Sequence, residues 1–132
     1  MSPENLNPPE LAPALGFSHV TVAGDTVWVG GQVGTDAEGH VLERGDVVAQ
    51  FARAIRNLAT ALRAAGCEPG DTVKLTYYVT DLEGYKRNLA AIGSAYRQVF
   101  GRHYPASTLV EVRSLFAPDA LVEIEAVAVR RV

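Results

Sequence analysis

Pro105-Ala-Ser-Thr-Leu-Val-Glu-Val112 and Leu121-Val-Glu-Ile-Glu-Ala-Val-Ala-Val129 are the two stretches that decide the fold of this chain. Residue types in each stretch alternate with a period of two, which predicts a β-strand with two distinct faces. A turn pair, Pro118-Asp119, lies between them. Because consecutive strands are usually neighbours in a sheet, we expect these two strands to lie side by side.

The second of these strands carries an unusual mixture of side chains on one face. The alternation groups two carboxylates with three aliphatic residues, namely Leu121, Glu123, Glu125, Val127 and Val129, and leaves Ala120, Val122, Ile124, Ala126 and Ala128 on the other face. Ionised carboxylates are seldom buried without a partner. The mixed face therefore suits neither a dry core nor bulk water, and we expect it to line a partly sheltered surface.

Two helices and a central strand are predicted before these strands. Apolar residues recur with helical spacing from residue 47 to 65, with Asp46 as the N-cap and Gly66 just after the helix. Residues 72–80 alternate and predict the central strand. A second helical pattern runs from residue 85 to 100. Gly93 inside it is unfavourable by about 1 kcal/mol relative to alanine, so we expect another backbone to come close there.

The beginning of the chain predicts an extended lead-in followed by a β-hairpin. Residues 1–15 hold four of the seven prolines, so this segment cannot join a helix and is expected to lie over the surface. The hairpin runs from Phe17 to Gly31 around the turn Gly24-Asp25. Its last glycines, Gly30 and Gly31, favour either a β-bulge or the close approach of another group to the main chain.

The resulting order of elements is β-β-α-β-α-β-β, which predicts an α+β fold with a mixed sheet and two helices on one face. At 132 residues the chain is expected to form a single domain, residues 1–132. Two helices cannot cover both faces of such a sheet, and the uncovered face keeps many apolar side chains. Because a large exposed apolar patch is unfavourable in water, we expect a closed homo-oligomer with pockets between subunits.

Composition and charge argue against several functions. The net charge is −3 and charged residues make up 20% of the chain, so neither nucleic acid nor a membrane is an expected partner. The single cysteine, Cys67, and the three scattered histidines lack metal-ligand spacing, so we expect no metal and no cofactor. The N-terminus has neither a basic region nor an apolar run, which predicts a cytoplasmic protein.

Five stretches together resemble the RidA family of small proteins, also called YjgF/UK114. They are residues 30–34, residues 45–50, residues 71–82, residues 104–112 and residues 121–129. The resemblance covers nearly the whole chain after the lead-in. It implies a chorismate-mutase-like subunit, a homotrimer with clefts between neighbouring subunits, and the hydrolysis of reactive enamines and imines, such as 2-aminoacrylate, to a keto acid and ammonia.

The resemblance also implies which residues form the site. Glu123 corresponds to the family's site glutamate and is the expected acid/base catalyst. The residues expected to shape the cleft are Phe17, which replaces a tyrosine, Gly30, Gly31, Ser107, Thr108 and Leu109. Asn88 is a candidate on a second helix that is longer than in the deaminating members. Ser107 stands where those members have an arginine for the substrate carboxylate, and a serine lacks the charge and the bidentate geometry of that group.

Three functions follow as hypotheses. The first is an enamine or imine hydrolase whose substrate lacks a carboxylate, or binds it through His19, His103 or Arg113. The second is a non-catalytic, small-molecule-binding trimer in which Glu123 only hydrogen-bonds a metabolite in the same cleft. The third, which the negative charge disfavours, is RNA cleavage or inhibition of translation. Glu123 alone could instead pair with an arginine of a neighbouring subunit.

Overall fold

The protein is built on one mixed sheet of six strands, which a computed structural model describes for residues 2–131. Met1 and Val132, the ends of the predicted domain 1–132, lie outside the described residues. The elements are β1 Glu4–Leu6, β2 Val20–Ala23, β3 Thr26–Gln32, α1 Val47–Ala64, β4 Thr72–Val79, α2 Leu82–Arg87, α3 Leu89–Phe100, β5 Ala106–Glu111 and β6 Val122–Val129. The strands lie in the order β1-β2-β3-β6-β4-β5, and the predicted α+β fold is confirmed.

The two strands that decide the fold are not neighbours, so the prediction that they pair was wrong. β4 lies between them, parallel to β5 and antiparallel to β6. The connection from β5 to β6 passes the end of β4, where Val112 N donates to Val79 O at 2.8 Å and Thr80 N donates to Leu121 O at 3.1 Å. The turn residues 118–119 therefore belong to a connection that passes β4 to reach β6, and not to a hairpin between β5 and β6.

The first helix follows the prediction closely, whereas the second is divided. Asp46 caps α1 by accepting a hydrogen bond from Ala49 N at 3.0 Å, and Gly66 follows the helix with a φ of 82°. Asn88 leaves helical geometry, and its side chain donates to Gly84 O at 2.7 Å. Because an asparagine amide competes for main-chain partners in this way, α2 ends and α3 begins at Asn88.

The proline-rich lead-in is extended, as predicted, but it also contributes a strand. β1 pairs antiparallel with β2 at the edge of the sheet. Asn7 Oδ1 accepts a hydrogen bond from His19 N at 2.8 Å, and Leu11 is buried in the core. The three residues of β1 show no alternation of their own, so their pairing depends on the neighbouring strand and could not be predicted from the sequence.

The helices cover one face of the sheet and leave the other open. The predicted alternation in β6 is confirmed, because Val122, Ile124, Ala126 and Ala128 are buried beneath the helices. The opposite face, which we call the open face, carries the exposed apolar side chains of Trp28, Val110 and Val129 beside the carboxylates of β6. The helices of residues 2–131 include none with the length and hydropathy of a membrane span.

Candidate functional site

A β-bulge in β3 brings Gly31 against Glu123. The pairing between β3 and β6 changes register between Val29 and Gln32, so the two glycines are the irregular residues of the strand. A Cβ atom at Gly31 would overlap the carboxylate and the Cγ of Glu123. Both interpretations of the glycine pair are therefore correct, since the strand bulges and a side chain lies directly on its main chain.

The two carboxylates of β6, Glu123 and Glu125, differ in their hydrogen bonding. The hydroxyl of Tyr78 on β4 donates to Glu125 Oε1 at 3.0 Å. Glu123 has no hydrogen-bond or salt-bridge partner among residues 2–131 and is half buried. Burial, and to a smaller extent the charge of Glu125, raise the pKa of the Glu123 carboxyl above its ordinary value. Glu123 is thus a half-buried carboxyl group with a raised pKa and no partner in the described part of the chain.

The buried side chain of Gln50 fixes the start of β6 and therefore the position of Glu123. Its Nε2 donates to Glu43 O at 2.9 Å and to Asp119 O at 3.0 Å, and its Oε1 accepts from Leu121 N at 2.7 Å. Gln50 is fully buried. A glutamine among the apolar residues of α1 was the sequence signal for this anchor, but the sequence could not show which loop it holds.

The predicted site residues of β5 lie on two different faces. Thr108 pairs with Thr76 and lies on the open face, where its hydroxyl accepts a hydrogen bond from Lys74 Nζ at 2.7 Å. Ser107 and Leu109 pair with Leu75 and with Tyr77, whose side chains are buried beneath the helices. Within one chain, Glu123 and Ser107 are therefore on opposite sides of the sheet.

Phe17 lies just before β2, near the bulge of β3. Its ring is exposed and packs edge-to-face on His19, with the ring centroids 5.5 Å apart. Gly30 N donates to His19 O at 2.8 Å, which ties this segment to the glycine pair. The structure thus places Phe17, Gly30, Gly31 and Glu123 in the same part of the sheet.

Of the two histidines proposed as carboxylate ligands, His19 has both ring nitrogens engaged, and His103 has one. His19 is buried, with its Nε2 2.7 Å from Ala12 O and its Nδ1 3.1 Å from Gln32 Nε2. His103 Nε2 is 2.8 Å from Thr72 O. Arg113 remains an exposed side chain on the loop after β5. The Asn88 side chain is likewise engaged, by Gly84 O.

A cavity of about 200 Å³ lies between α3 and the strands β4 and β5, and we call it the α3 cavity. Phe51, Leu75, Tyr77 and Tyr85 line its interior. Its other lining residues are Leu89, Ile92, Gly93, Tyr96 and Arg97 of α3 and Tyr104, Pro105 and Ser107 at the start of β5. Except for Ser107, the sequence did not predict these residues as part of a site. The glycine at residue 93, four residues before Arg97, was the signal that could have indicated them.

Comparisons with known proteins agree with the fold and with the sequence motifs. Residues 8–130 match the family described as Endoribonuclease L-PSP. A 2-iminobutanoate/2-iminopropanoate deaminase from Salmonella typhimurium is 38% identical over 112 residues, 82% of each chain. A RutC family protein from Pyrococcus abyssi is 35% identical over 112 residues, 85% of this chain and 84% of the relative. The structure of E. coli TdcF with bound serine has a TM-score of 0.83 at 30% identity, covering 97% of this chain and 99% of that one.

Proposed function

The chain belongs to the endoribonuclease L-PSP family, the RidA (YjgF/UK114) family that its motifs indicate, and on this basis we propose that it hydrolyses a reactive imine or enamine. The Salmonella typhimurium relative is named as a deaminase of 2-iminobutanoate and 2-iminopropanoate. The observation that carries the proposal is the Glu123 carboxyl group, which lies on Gly31, is sheltered from solvent and is unpaired within the described chain. Such a group can exchange a proton with a bound molecule.

The proposed reaction needs one water molecule and one acid/base group. Water adds to the carbon of the C=N bond and the nitrogen gains protons, so that the carbon–nitrogen bond breaks and a carbonyl compound and ammonia are released. An imine carbon is already electrophilic, so positioning and proton transfer account for most of the catalysis. Because its pKa is raised, Glu123 holds a proton to a higher pH than an ordinary glutamate and can deliver it to the departing nitrogen.

We propose that the complete cleft forms between two copies of the chain in a homotrimer. Glu123 and Gly31 are on the open face, whereas Ser107 and Leu109 face the helices, so one copy cannot bring all four to one ligand. The apolar side chains of the open face favour burial against another subunit. Each copy would contribute residues 1–132 as one domain. The cleft residues in this proposal are Phe17, Gly30, Gly31, Ser107, Thr108 and Leu109.

The experiment compares Glu123→Gln with Glu125→Gln. 2-Iminobutanoate and an imine without a carboxylate are generated in the assay, and ammonia release above the spontaneous rate is followed. Both residues lie on the same face of β6, so the second variant controls for the loss of one charge there. We expect Glu123→Gln to lose the catalysed rate and Glu125→Gln to keep most of it. Equal rates for wild type and Glu123→Gln would overturn the assignment.

A second candidate function is the binding of a small metabolite without catalysis. Ser107 occupies the position of the arginine found in deaminating members, and the structure of E. coli TdcF contains bound serine. In this alternative, Glu123 accepts or donates a hydrogen bond to the ligand and no bond is broken. Thermal stabilisation by an amino acid or keto acid, together with no ammonia release from either imine, would favour binding over hydrolysis.

RNA cleavage is the least supported function. The chain has a net charge of −3, and the open face presents Glu123 and Glu125 beside Lys74. Binding to the phosphate backbone requires several lysines or arginines on one surface. A filter-binding assay at low salt would test this directly, and retention of RNA by the wild-type protein would reopen the question.

A further inference from the structure

Among residues 2–131, the α3 cavity is lined by one charged group, the guanidinium of Arg97. Arg97 lies on the exposed side of α3. On a helix, an arginine can pair with a carboxylate three or four residues away. The residues at those distances are Gly93, Ser94, Phe100 and Gly101, none of which is acidic. Arg97 has no salt bridge to any residue in the described range 2–131.

Gly93 makes room for this guanidinium at the cavity. A Cβ atom at Gly93 would be 3.2 Å from Arg97 Nη1 and 3.9 Å from its Cζ. The prediction that another backbone comes close to Gly93 was therefore wrong, since the nearest group is a side chain of the same helix. Both residues line the α3 cavity. Glycine is unfavourable inside a helix, but at residue 93 it leaves room for the guanidinium of Arg97 at the edge of the cavity.

Two phenol groups inside the cavity also lack a partner. Tyr77 and Tyr85 are 9% and 7% exposed, and neither hydroxyl makes a hydrogen bond within the described part of the chain. Burial raises the pKa of Tyr85 to about 12, and it raises the pKa of Tyr77 further, so both remain neutral donors at physiological pH. Each of these hydroxyl groups lies at the cavity with a free position for a hydrogen bond, so it can donate to an acceptor oxygen of a bound molecule.

We propose that the α3 cavity binds the carboxylate of a small organic acid, with Arg97 as the charged ligand in the place left neutral by Ser107. The inference rests on the proposed function and adds the residue that would hold the carboxylate of its substrate. The cavity is smaller than the ~300–1,000 Å³ of sites for drug-sized ligands. Its walls are aromatic and aliphatic, and its hydroxyl groups come from Ser107 and from four tyrosines, which include Tyr77 and Tyr85. Together they suit one carboxylate joined to a small apolar group.

The test measures binding separately from turnover. Isothermal titration of the full-length protein uses two carboxylates, 2-oxobutanoate and benzoate, and their neutral counterparts 2-butanone and benzamide. The variants are Arg97→Met, the conservative Arg97→Lys, and Arg56→Met as a matched control, because Arg56 is also an exposed arginine on a helix. We expect the dissociation constant of a carboxylate to rise roughly 10- to 100-fold in Arg97→Met, as for a lost charge-assisted contact. Arg97→Lys should recover part of this loss.

The outcomes separate the two proposals. Weaker carboxylate binding in Arg97→Met, with Arg56→Met and the neutral ligands unchanged, supports the role of Arg97 even if no imine is hydrolysed. Equal carboxylate affinity in Arg97→Met and wild type overturns it, as does the absence of carboxylate binding by the wild type. Hydrolysis of an imine without a carboxylate, combined with equal affinities, would leave the proposed reaction in place and remove Arg97 from it. A double variant, Arg97→Met with Ser107→Arg, should regain binding if both positions serve the same carboxylate.

Discussion

The Glu123 carboxylate fills the space that a side chain at residue 31 would need, so the acid on β6 and the glycine on β3 fit only as a pair. The bulge at Gly30-Gly31 leaves room above the main chain, and the carboxylate enters it. This contact shelters the acid without giving it a partner. The proposed acid/base role of Glu123 depends on this contact with Gly31, because the contact keeps the carboxyl group half buried.

Replacing Gly31 by alanine should displace the Glu123 side chain. The added methyl group would overlap the carboxylate and Cγ, so the entire side chain must move or the strands must separate. We expect a loss of about 1–3 kcal/mol in the free energy of unfolding, as for overpacked positions, together with a loss of imine hydrolysis. Urea unfolding and ammonia release measure the two effects. Gly70→Ala is the control, because its nearest neighbour would be 3.9 Å away.

The overlap also predicts a coupling between the two positions. In a double variant, Gly31→Ala with Glu123→Ala, no carboxylate remains to be displaced. The double variant should therefore be more stable than the sum of the single changes predicts. Additive losses would mean that the alanine strains the main chain of the bulge, and that the Glu123 side chain is not the cause.

The raised pKa of Glu123 predicts a stability change with pH. The folded protein holds this proton above the ordinary pKa of 4.5, where the unfolded chain has released it. Ionised Glu123 therefore destabilises the fold once the pH exceeds the raised pKa, and the penalty is absent below the ordinary pKa. We expect Glu123→Gln to melt at a higher temperature than wild type at about pH 7 and at the same temperature at about pH 4. Equal melting temperatures for Glu123→Gln and wild type at both pH values would contradict the raised pKa.

Gln50→Leu should destabilise the fold strongly although it preserves the side-chain volume. It would leave the carbonyls of Glu43 and Asp119 and the amide of Leu121 without their partner. Each lost buried partner costs ~1–3 kcal/mol, so we expect at least ~3 kcal/mol by chemical denaturation. Gln98→Leu, at an exposed position of α3, should change stability little. A similar small effect in both variants would contradict the anchoring role of Gln50.

Trp28→Lys tests whether the open face is covered by other copies of the chain. Trp28 is 46% exposed and lies opposite Val127 on the same face as Glu123. A lysine at this exposed position should change the stability of a single subunit little. In an oligomer it would place a charge in an apolar interface, which is unfavourable. We expect sedimentation equilibrium to show a trimer for the wild type and smaller species for Trp28→Lys. Leu42→Lys, at an exposed loop position, is the control. A monomeric wild type would refute the trimer.

Gly93→Ala should change stability and binding in opposite directions. Alanine is favoured over glycine inside a helix by about 1 kcal/mol, so the melting temperature should rise. The new methyl group would be within 3.2 Å of Arg97 Nη1 and should move the guanidinium from the cavity edge. Carboxylate affinity is then expected to fall while affinity for neutral ligands is kept. Unchanged carboxylate binding in a stabilised variant would show that the position of Arg97 over Gly93 is unimportant.

Local patterns in the sequence were sufficient to predict most of the secondary structure. The period of two in residues 122–129 assigned Glu123 and Glu125 to one face, because alternate side chains of a strand point in opposite directions. Asp46 and Gly66 marked the bounds of α1 by the requirements of capping. Strand alternation and helix capping both depend on residues that are close together in the chain, so these features can be predicted from the sequence alone.

The tertiary structure decided which of these elements meet. Strand order placed β4 between β5 and β6 and put Ser107 and Glu123 on opposite faces, a result that depends on packing between distant segments. The sequence predicted that Glu123 lies on a partly sheltered face. Only the fold shows that Tyr78 donates to Glu125, while Glu123 has no partner among residues 2–131. The glycine at residue 93 is visible in the sequence. The position of Arg97 at the α3 cavity is not, because the cavity exists only once α3 has packed on the sheet.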